Sequence, residues 1–391
     1  MRVNRRRVVP LIPAVALVAS TAAPGVAAAA SGATLPVVVQ VLADNAPCRP
    51  ASAKRAPQSP WTQDMLALDR VWRLSRGAGV AVGVVGSGVG KTIPALSGRV
   101  TALGATGGQD CVGHGSFVAG LIAAGPYAGS GFTGVAPDAR ILAVRATAPR
   151  GAATGPGLAR GIKAVVAAGA KVVAVPWALD KKDAKLTEAV RYANAHDVLV
   201  VAPAVPDKAG FMGSGEAGKP HDFWPAAEPG VLSVLDFGAD GSRPQGAAVP
   251  RHADLAAPGD RVVSVGPGGD GAFTGSGSSL AVGFVAGAAA LVRAYRPDLS
   301  AQQTRTRLLG GSYPAAVPRL DPYAAVSGVV PSPADSAPAL AAPVRLPPEV
   351  HQGNTRARSF LVAAAGAGVA LFVGVLGWVV PRARARRWRA G

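Results

Sequence analysis

Between residues 62 and 295 the chain alternates two hydrophobic periods, and this limits its fold more than any other feature. TQDMLALDRVWRL reads as an amphipathic helix, GVAVGVVG as a strand, HGSFVAGLIAAG as a helix and ARILAVRA as a strand. GPGLARGIKAVVAAGA, KVVAVPWA, KLTEAVRYANAH and DVLVVAPAV continue the series. The strand segments are Val-rich and have no polar face, so both faces must be covered. Strands of that kind separated by helices predict an α/β fold with a parallel sheet between helical layers. GVLSVLDFG and RVVSVGP follow more closely, and SSLAVGFVAGAAALVRAYR then predicts a long helix of small residues.

The two ends belong to a different solvent. Residues 1–30 carry Arg2, Arg5, Arg6 and Arg7, then an apolar run broken by Pro10 and Pro13, then small residues, the pattern of a signal peptide. A first membrane anchor is the competing reading, but the prolines make a poor span. Phe360 to Val380 has no charge and is long enough to cross a bilayer. Arg356 and Arg358 precede it and PRARARRWRAG follows, which places the tail on the cytoplasmic side. The organisation expected is a signal peptide over 1–30, an N-terminal extension over 31–60 and a main domain over 61–329. A Pro/Ala-rich linker over 330–358, a transmembrane helix over 359–380 and a basic cytoplasmic tail over 381–391 complete it.

The net charge of +18 invites a nucleic-acid reading. Eleven of the 40 basic residues are arginines in the two flanks, which hold no acidic residue, so 29 basic and 22 acidic residues remain, a net +7 without a dense patch. The excess is therefore a membrane signal, and no nucleic-acid partner is expected. The two cysteines, Cys48 and Cys111, both fall on the exported side, where an oxidising compartment favours a disulfide. Such a bridge would tie the N-terminal extension to the main domain.

Two segments could carry chemistry. GHGSFVAG puts His114 at the start of one helix and GSGSSLAVGFVAG puts Ser279 at the start of another, the arrangement of a base and a nucleophile. On spacing alone a helix-capping serine and a structural histidine are the favoured reading. No metal-ligand cluster or phosphate-binding glycine loop occurs, so no cofactor is implied.

The order of these blocks resembles the subtilisin-like serine proteases, and within them the mycosins, membrane-anchored proteins associated with type VII secretion in actinobacteria. PWTQDMLALDRVWRLSRGAGVAVGVV resembles the family's entry helix and first strand, DCVGHGSFVAGLIAA its His block, and GVAPDARILAVR its next strand. FWPAAEPGVLSV, LAAPGDRVVSVGPGG and GSSLAVGFVAGAAALVRAYRPDLS follow in the family's order. The resemblance implies a subtilisin-like parallel sheet covered on both faces, plus a C-terminal transmembrane helix. It assigns His114 the base position and Ser279 the nucleophile position.

The remaining site positions depart from the family pattern. Where the family's first strand ends in Asp, this chain has Gly86, so the carboxylate that orients the histidine is missing. The oxyanion Asn position falls on Pro206. The strand that pairs with substrate carries Pro176, which removes a backbone donor, and Gly283 stands where the family has proline. Asp110, four residues before His114, is the only nearby carboxylate by sequence. Loss of the triad Asp costs about 10⁴ in turnover, and loss of an oxyanion donor about 10² to 10³. The expectation is a pseudoprotease that acts within a type VII secretion membrane complex. The alternative is a weakly active membrane-anchored endopeptidase with a peptide substrate.

Overall fold

Strand β1, Ala81–Gly86, shows how the sheet is built. Its residues are all buried, yet alternate side chains enter different layers, because successive residues of a strand point to opposite faces. Val82 and Val84 join the core on one face, while Ala81 and Val85 join the core on the other. Strand β4 (Val172–Ala174) and strand β5 (Leu199–Pro203) divide in the same way. The structure is a computed structural model that describes residues 34–207, 219–244, 246–328 and 355–385.

Seven strands form one sheet in the order β2-β3-β1-β4-β5-β6-β7, with every neighbouring pair parallel. Here β2 is Val100–Ala102, β3 Arg140–Arg145, β6 Val231–Phe237 and β7 Leu255–Pro258. Helices α3 (His114–Ala123) and α6 (Ser278–Tyr295) fill one face, and α4 (Gly155–Ala167) and α5 (Ala184–Ala195) the other. A separate antiparallel hairpin, β8 (Val262–Val265) with β9 (Ala272–Gly275), precedes α6. Helices α7 (Ala301–Gly310) and α8 (Pro322–Ser327) follow it. The parallel sheet between helical layers, anticipated from the strand composition, is thus present.

One expected helix is two. TQDMLALDRVWRL splits into α1, Trp61–Met65, and α2, Leu68–Val71, because Ala67 adopts the left-handed conformation at φ 47°. Leu66 and Leu68 are both buried. Residues two apart do not share a face of a continuous helix, so the break lets both enter the core.

Helix α6 approaches α3 closely at Gly283. A Cβ there would lie 2.9 Å from Leu121 Cβ, nearer than real side chains come. The glycine at this position therefore serves the packing of the two helices that carry Ser279 and His114.

The N-terminal segment from residue 34 lies on the main unit by backbone bonds at several points. Val38 N donates to Thr274 O at 2.8 Å, Leu42 N to Arg150 O at 2.9 Å, and Gly131 N to Ala56 O at 2.8 Å. Cys48 and Cys111 are joined in a disulfide, with Cα atoms 4.5 Å apart.

The C-terminal unit contains α9, Thr355–Ala385. Within it Leu361–Arg384 has a mean hydropathy of 2.1 over its most apolar window, long enough to span a bilayer. The helix starts four residues before the expected 359 and carries the first part of the basic tail, past Pro381. Gly366, Ala370 and Gly374 recur at four-residue spacing and so share one face of it. The signal peptide over 1–30 and most of the 330–358 linker lie outside the described residues.

Candidate active site

β1 ends at Gly86 with its outward direction set by the alternation of Val82 and Val84, toward the α3 and α6 layer. That layer brings His114, the first residue of α3, to Ser279, the second of α6. His114 Nε2 lies 2.9 Å from Ser279 Oγ across 165 residues of chain. His114 is 1% exposed and Ser279 fully buried. The two residues proposed from helix starts therefore meet.

Nothing among the described residues holds the other side of the imidazole. His114 Nδ1 is buried without a hydrogen-bond partner, and so is Trp177 Nε1, whose ring centroid is 6.0 Å from that of His114. A Cβ at residue 86 would meet Pro176 Cγ at 3.8 Å, Trp177 Nε1 at 3.9 Å and Gly115 Cα at 4.0 Å, all ordinary contacts. Neither crowding nor a left-handed backbone calls for glycine at 86. Burial without a compensating carboxylate pushes the His114 pKa down from 6.5 to about 3.

Asp110 does not take over. Its carboxylate accepts from Ser116 N at 2.8 Å, Ser116 Oγ at 2.7 Å, Gly113 N at 2.8 Å and Val112 N at 3.2 Å. These bonds satisfy free amides at and just before the start of α3, the work of a helix cap. Burial raises its pKa, and the bonds from Ser116 and Gly113 oppose the rise.

The carboxylate that reaches the serine is Asp207, next to Pro206. Ser279 N donates to Asp207 Oδ1 at 3.0 Å and Ser279 Oγ to Oδ2 at 2.6 Å. The approach requires Gly277, since a Cβ there would lie 2.1 Å from Asp207 Cγ. Asp207 has no ion pair among the described residues, and burial pushes its pKa up to about 7. The like charge of Asp236 adds to the rise, and the two bonds from Ser279 oppose it. Sequence reasoning expected only a missing donor at Pro206. The finding corrects that picture, because an acceptor now occupies the serine's own backbone donor. The one signal in the sequence was an acidic residue directly after Pro206, and nothing in its spacing pointed at Ser279.

Pro176 sits where the chain turns after β4. Val175 N still bonds Val201 O at 2.9 Å, but Trp177 N folds back onto Val175 O at 2.7 Å. The Pro176 carbonyl accepts from Gln40 Nε2 of the N-terminal segment at 2.8 Å. A carbonyl next to the candidate site is thus engaged by the protein's own chain. Among the described residues there is no group of three or more His, Cys, Asp or Glu side chains suited to a metal. Chemically the site is a serine in contact with an unsupported imidazole, with its hydroxyl and amide both directed at a carboxylate.

Comparison with known proteins gives a consistent result. The subtilase family, Peptidase S8, matches residues 77–321. Mycosin-3 of Mycobacterium tuberculosis is 32% identical, with 83% of this chain and 84% of the relative covered. Among solved structures, the MycP3 protease from the type VII (ESX-3) secretion system aligns with a TM-score of 0.63 at 29% identity, covering 75% of this chain and 96% of that one. A chain of the intact ESX-5 inner membrane complex aligns with a TM-score of 0.66 at 26% identity, covering 89% and 96%.

Proposed function

Because this chain belongs to the mycosins, within the subtilase family, we propose that it is a membrane-anchored pseudoprotease serving as a component of a type VII secretion membrane complex. The observation that carries this reading is the state of Ser279. Its hydroxyl and backbone N–H are both bound to Asp207, while His114 Nδ1 has no partner among the described residues. A working serine hydrolase needs the opposite arrangement. The hydroxyl proton must face the base, the base must be oriented by an acceptor on its far side, and the serine amide must be free for the developing oxyanion. Gln40 on the Pro176 carbonyl further hinders an incoming peptide backbone.

Type VII partners rest on the similarity to a chain of an ESX-5 inner membrane complex, and the apolar α9 supplies the anchor. In this reading the main domain lies outside the cytoplasm and the arginine-rich tail inside it. The full-length protein in detergent should cleave no peptide above background at pH 7.5. Ser279→Ala should leave secretion in cells intact where deletion of the gene impairs it. The His114–Ser279 contact favours a second reading, a weak endopeptidase acting on an exported substrate. Robust cleavage that Ser279→Ala abolishes would establish that second reading and remove the first.

The anchor carries its own test. Small residues at four-residue spacing let helix backbones approach in lipid. Changing Gly366, Ala370 and Gly374 together to leucine should release the protein from its complex in mild detergent while leaving it in the membrane fraction. Unchanged co-purification would remove the stripe from the assembly.

A further inference from the structure

Ser279 has one hydroxyl proton and two partners, Asp207 Oδ2 at 2.6 Å and His114 Nε2 at 2.9 Å. The count of protons then fixes every role in the chain of three. When Asp207 is a carboxylate it can only accept, so the serine donates to it. His114 must then donate from Nε2, which leaves its bare Nδ1 as an unpartnered acceptor. When Asp207 carries a proton, Oδ1 still accepts from Ser279 N while the Oδ2 hydroxyl donates to Oγ. The serine proton turns to His114 Nε2, and the histidine proton moves to Nδ1.

We propose that the protonation of Asp207 is a switch on Ser279, shut when the carboxyl is ionised and armed when it is neutral. In the armed form His114 Nε2 accepts the Ser279 hydroxyl proton, as a general base must, while Asp207 Oδ1 still holds the Ser279 amide. Asp207 acts through the serine as a positioning residue.

The surroundings support a carboxyl that titrates near neutrality. Behind Asp207 lies a cavity of about 120 Å³, lined also by Asp236, Arg243, Asp260, Gly277 and Ser278. Arg243 Nη2 lies 3.5 Å from Asp236 Oδ1, its Nη1 donates to Ala248 O at 3.1 Å, and Asp236 also accepts from Ser278 Oγ. Burial favours the neutral form, the two bonds from Ser279 favour the ionised one, the like charge of Asp236 adds to the effect of burial, and the balance puts the pKa at about 7. His114, at about 3, remains neutral throughout the mildly acidic range. A base and an acidic donor therefore coexist around Ser279 between pH 3 and 7, the reverse of a site whose histidine is protonated by acid.

This rests on the reading above that the site is silent at neutral pH, and its test needs no peptide cleavage. The full-length protein in detergent, labelled with ¹⁵N-histidine, is titrated from pH 5.5 to 8.5, with the His114 resonances assigned by their loss in His114→Gln. The expected result is an Nε2–H tautomer at high pH that converts to Nδ1–H with a midpoint near 7. Asp207→Asn, whose amide accepts from Ser279 N and donates to Oγ, should hold the Nδ1–H form at every pH. A tautomer that ignores pH in the unaltered protein, or a conversion that survives Asp207→Asn, would overturn the proposal. The unaltered protein decides alone if the variant does not fold.

Diisopropyl fluorophosphate provides the chemical readout. A bond forms from Ser279 Oγ to phosphorus, the phosphorus–fluorine bond breaks and fluoride leaves, and the serine proton passes through His114 to solvent. If only the neutral carboxyl permits this, modification should run about tenfold faster at pH 6 than at pH 8, and Asp207→Asn should remove the difference. Equal rates at both pH values in the unaltered protein would count against the switch. Neutral-pH peptide cleavage would defeat the functional reading whichever tautomer is found.

Discussion

Removing His114 and Asp207 one at a time should tilt the pH dependence of stability in opposite directions. The Asp207 pKa is about 7 in the folded protein against an ordinary 3.8. Its contribution is fully favourable below pH 3.8, declines as pH rises through 7, and costs about 4 kcal/mol above that relative to acid. The His114 pKa is about 3 against 6.5. Its contribution is intact above pH 6.5 and is lost as pH falls toward 3, by about 5 kcal/mol in all. Between about pH 4 and 6.5 the folded protein binds one proton, on Asp207, and the unfolded chain binds one, on the histidine. The two slopes cancel. Asp207→Asn should expose the histidine term, so that stability falls by about 1.4 kcal/mol for each pH unit below 6.5. His114→Gln should expose the aspartate term, so that stability rises on acidification from pH 7 to 4. Denaturant melts of both variants at four pH values test this, and parallel profiles in the two would refute the assignment of either group.

The second large effect belongs to the disulfide. Cys48 and Cys111 are 63 residues apart in sequence, and closing a loop of that size stabilises a fold by roughly 4 kcal/mol in the chain-entropy model. Replacing both with serine should lower the melting temperature by roughly 10 °C for a domain of this size. The backbone bonds from Val38, Leu42 and Ala56 remain, so the double variant should still fold. Cys111 lies three residues before His114, and Arg49 N bonds the Cys111 carbonyl at 2.8 Å. The bridge therefore ties the N-terminal segment to the entry of the helix that carries the imidazole. A melting temperature within 2 °C of the unaltered protein would show that the backbone bonds suffice.

The architecture was legible in the sequence because burial on both faces leaves a periodic mark. Val82 and Val84 serve one layer and Ala81 and Val85 the other, so the strand reads as a continuous apolar run, and few other folds tolerate such runs between helices. The apolar C-terminal helix was legible for a related reason, since an uninterrupted uncharged length stands out along the chain. Yet α6 meets the same test of length and hydropathy and is 89% buried inside the main unit, so only the fold separates a core helix from a span. The break at Ala67 was hidden because the apolar pattern of that segment fits one helix, and the need to bury both Leu66 and Leu68 appears only once there is a core to bury them in.

His114 and Ser279 were marked by the small residues that let their helices pack closely, and Gly86 by the absence of a carboxylate where the family pattern has one. The sequence by itself determined the layered sheet, the apolar C-terminal helix, the cysteine pairing and the two helix starts, because each follows from local composition or from a period along the chain. Asp207 was decided only by the tertiary structure. It lies 72 residues from Ser279 and has no periodic relation to it, and its role arises where the end of β5 and the start of α6 converge at Gly277. Charge, burial and proton count act at that meeting point through space, and a linear sequence does not record which groups will share it.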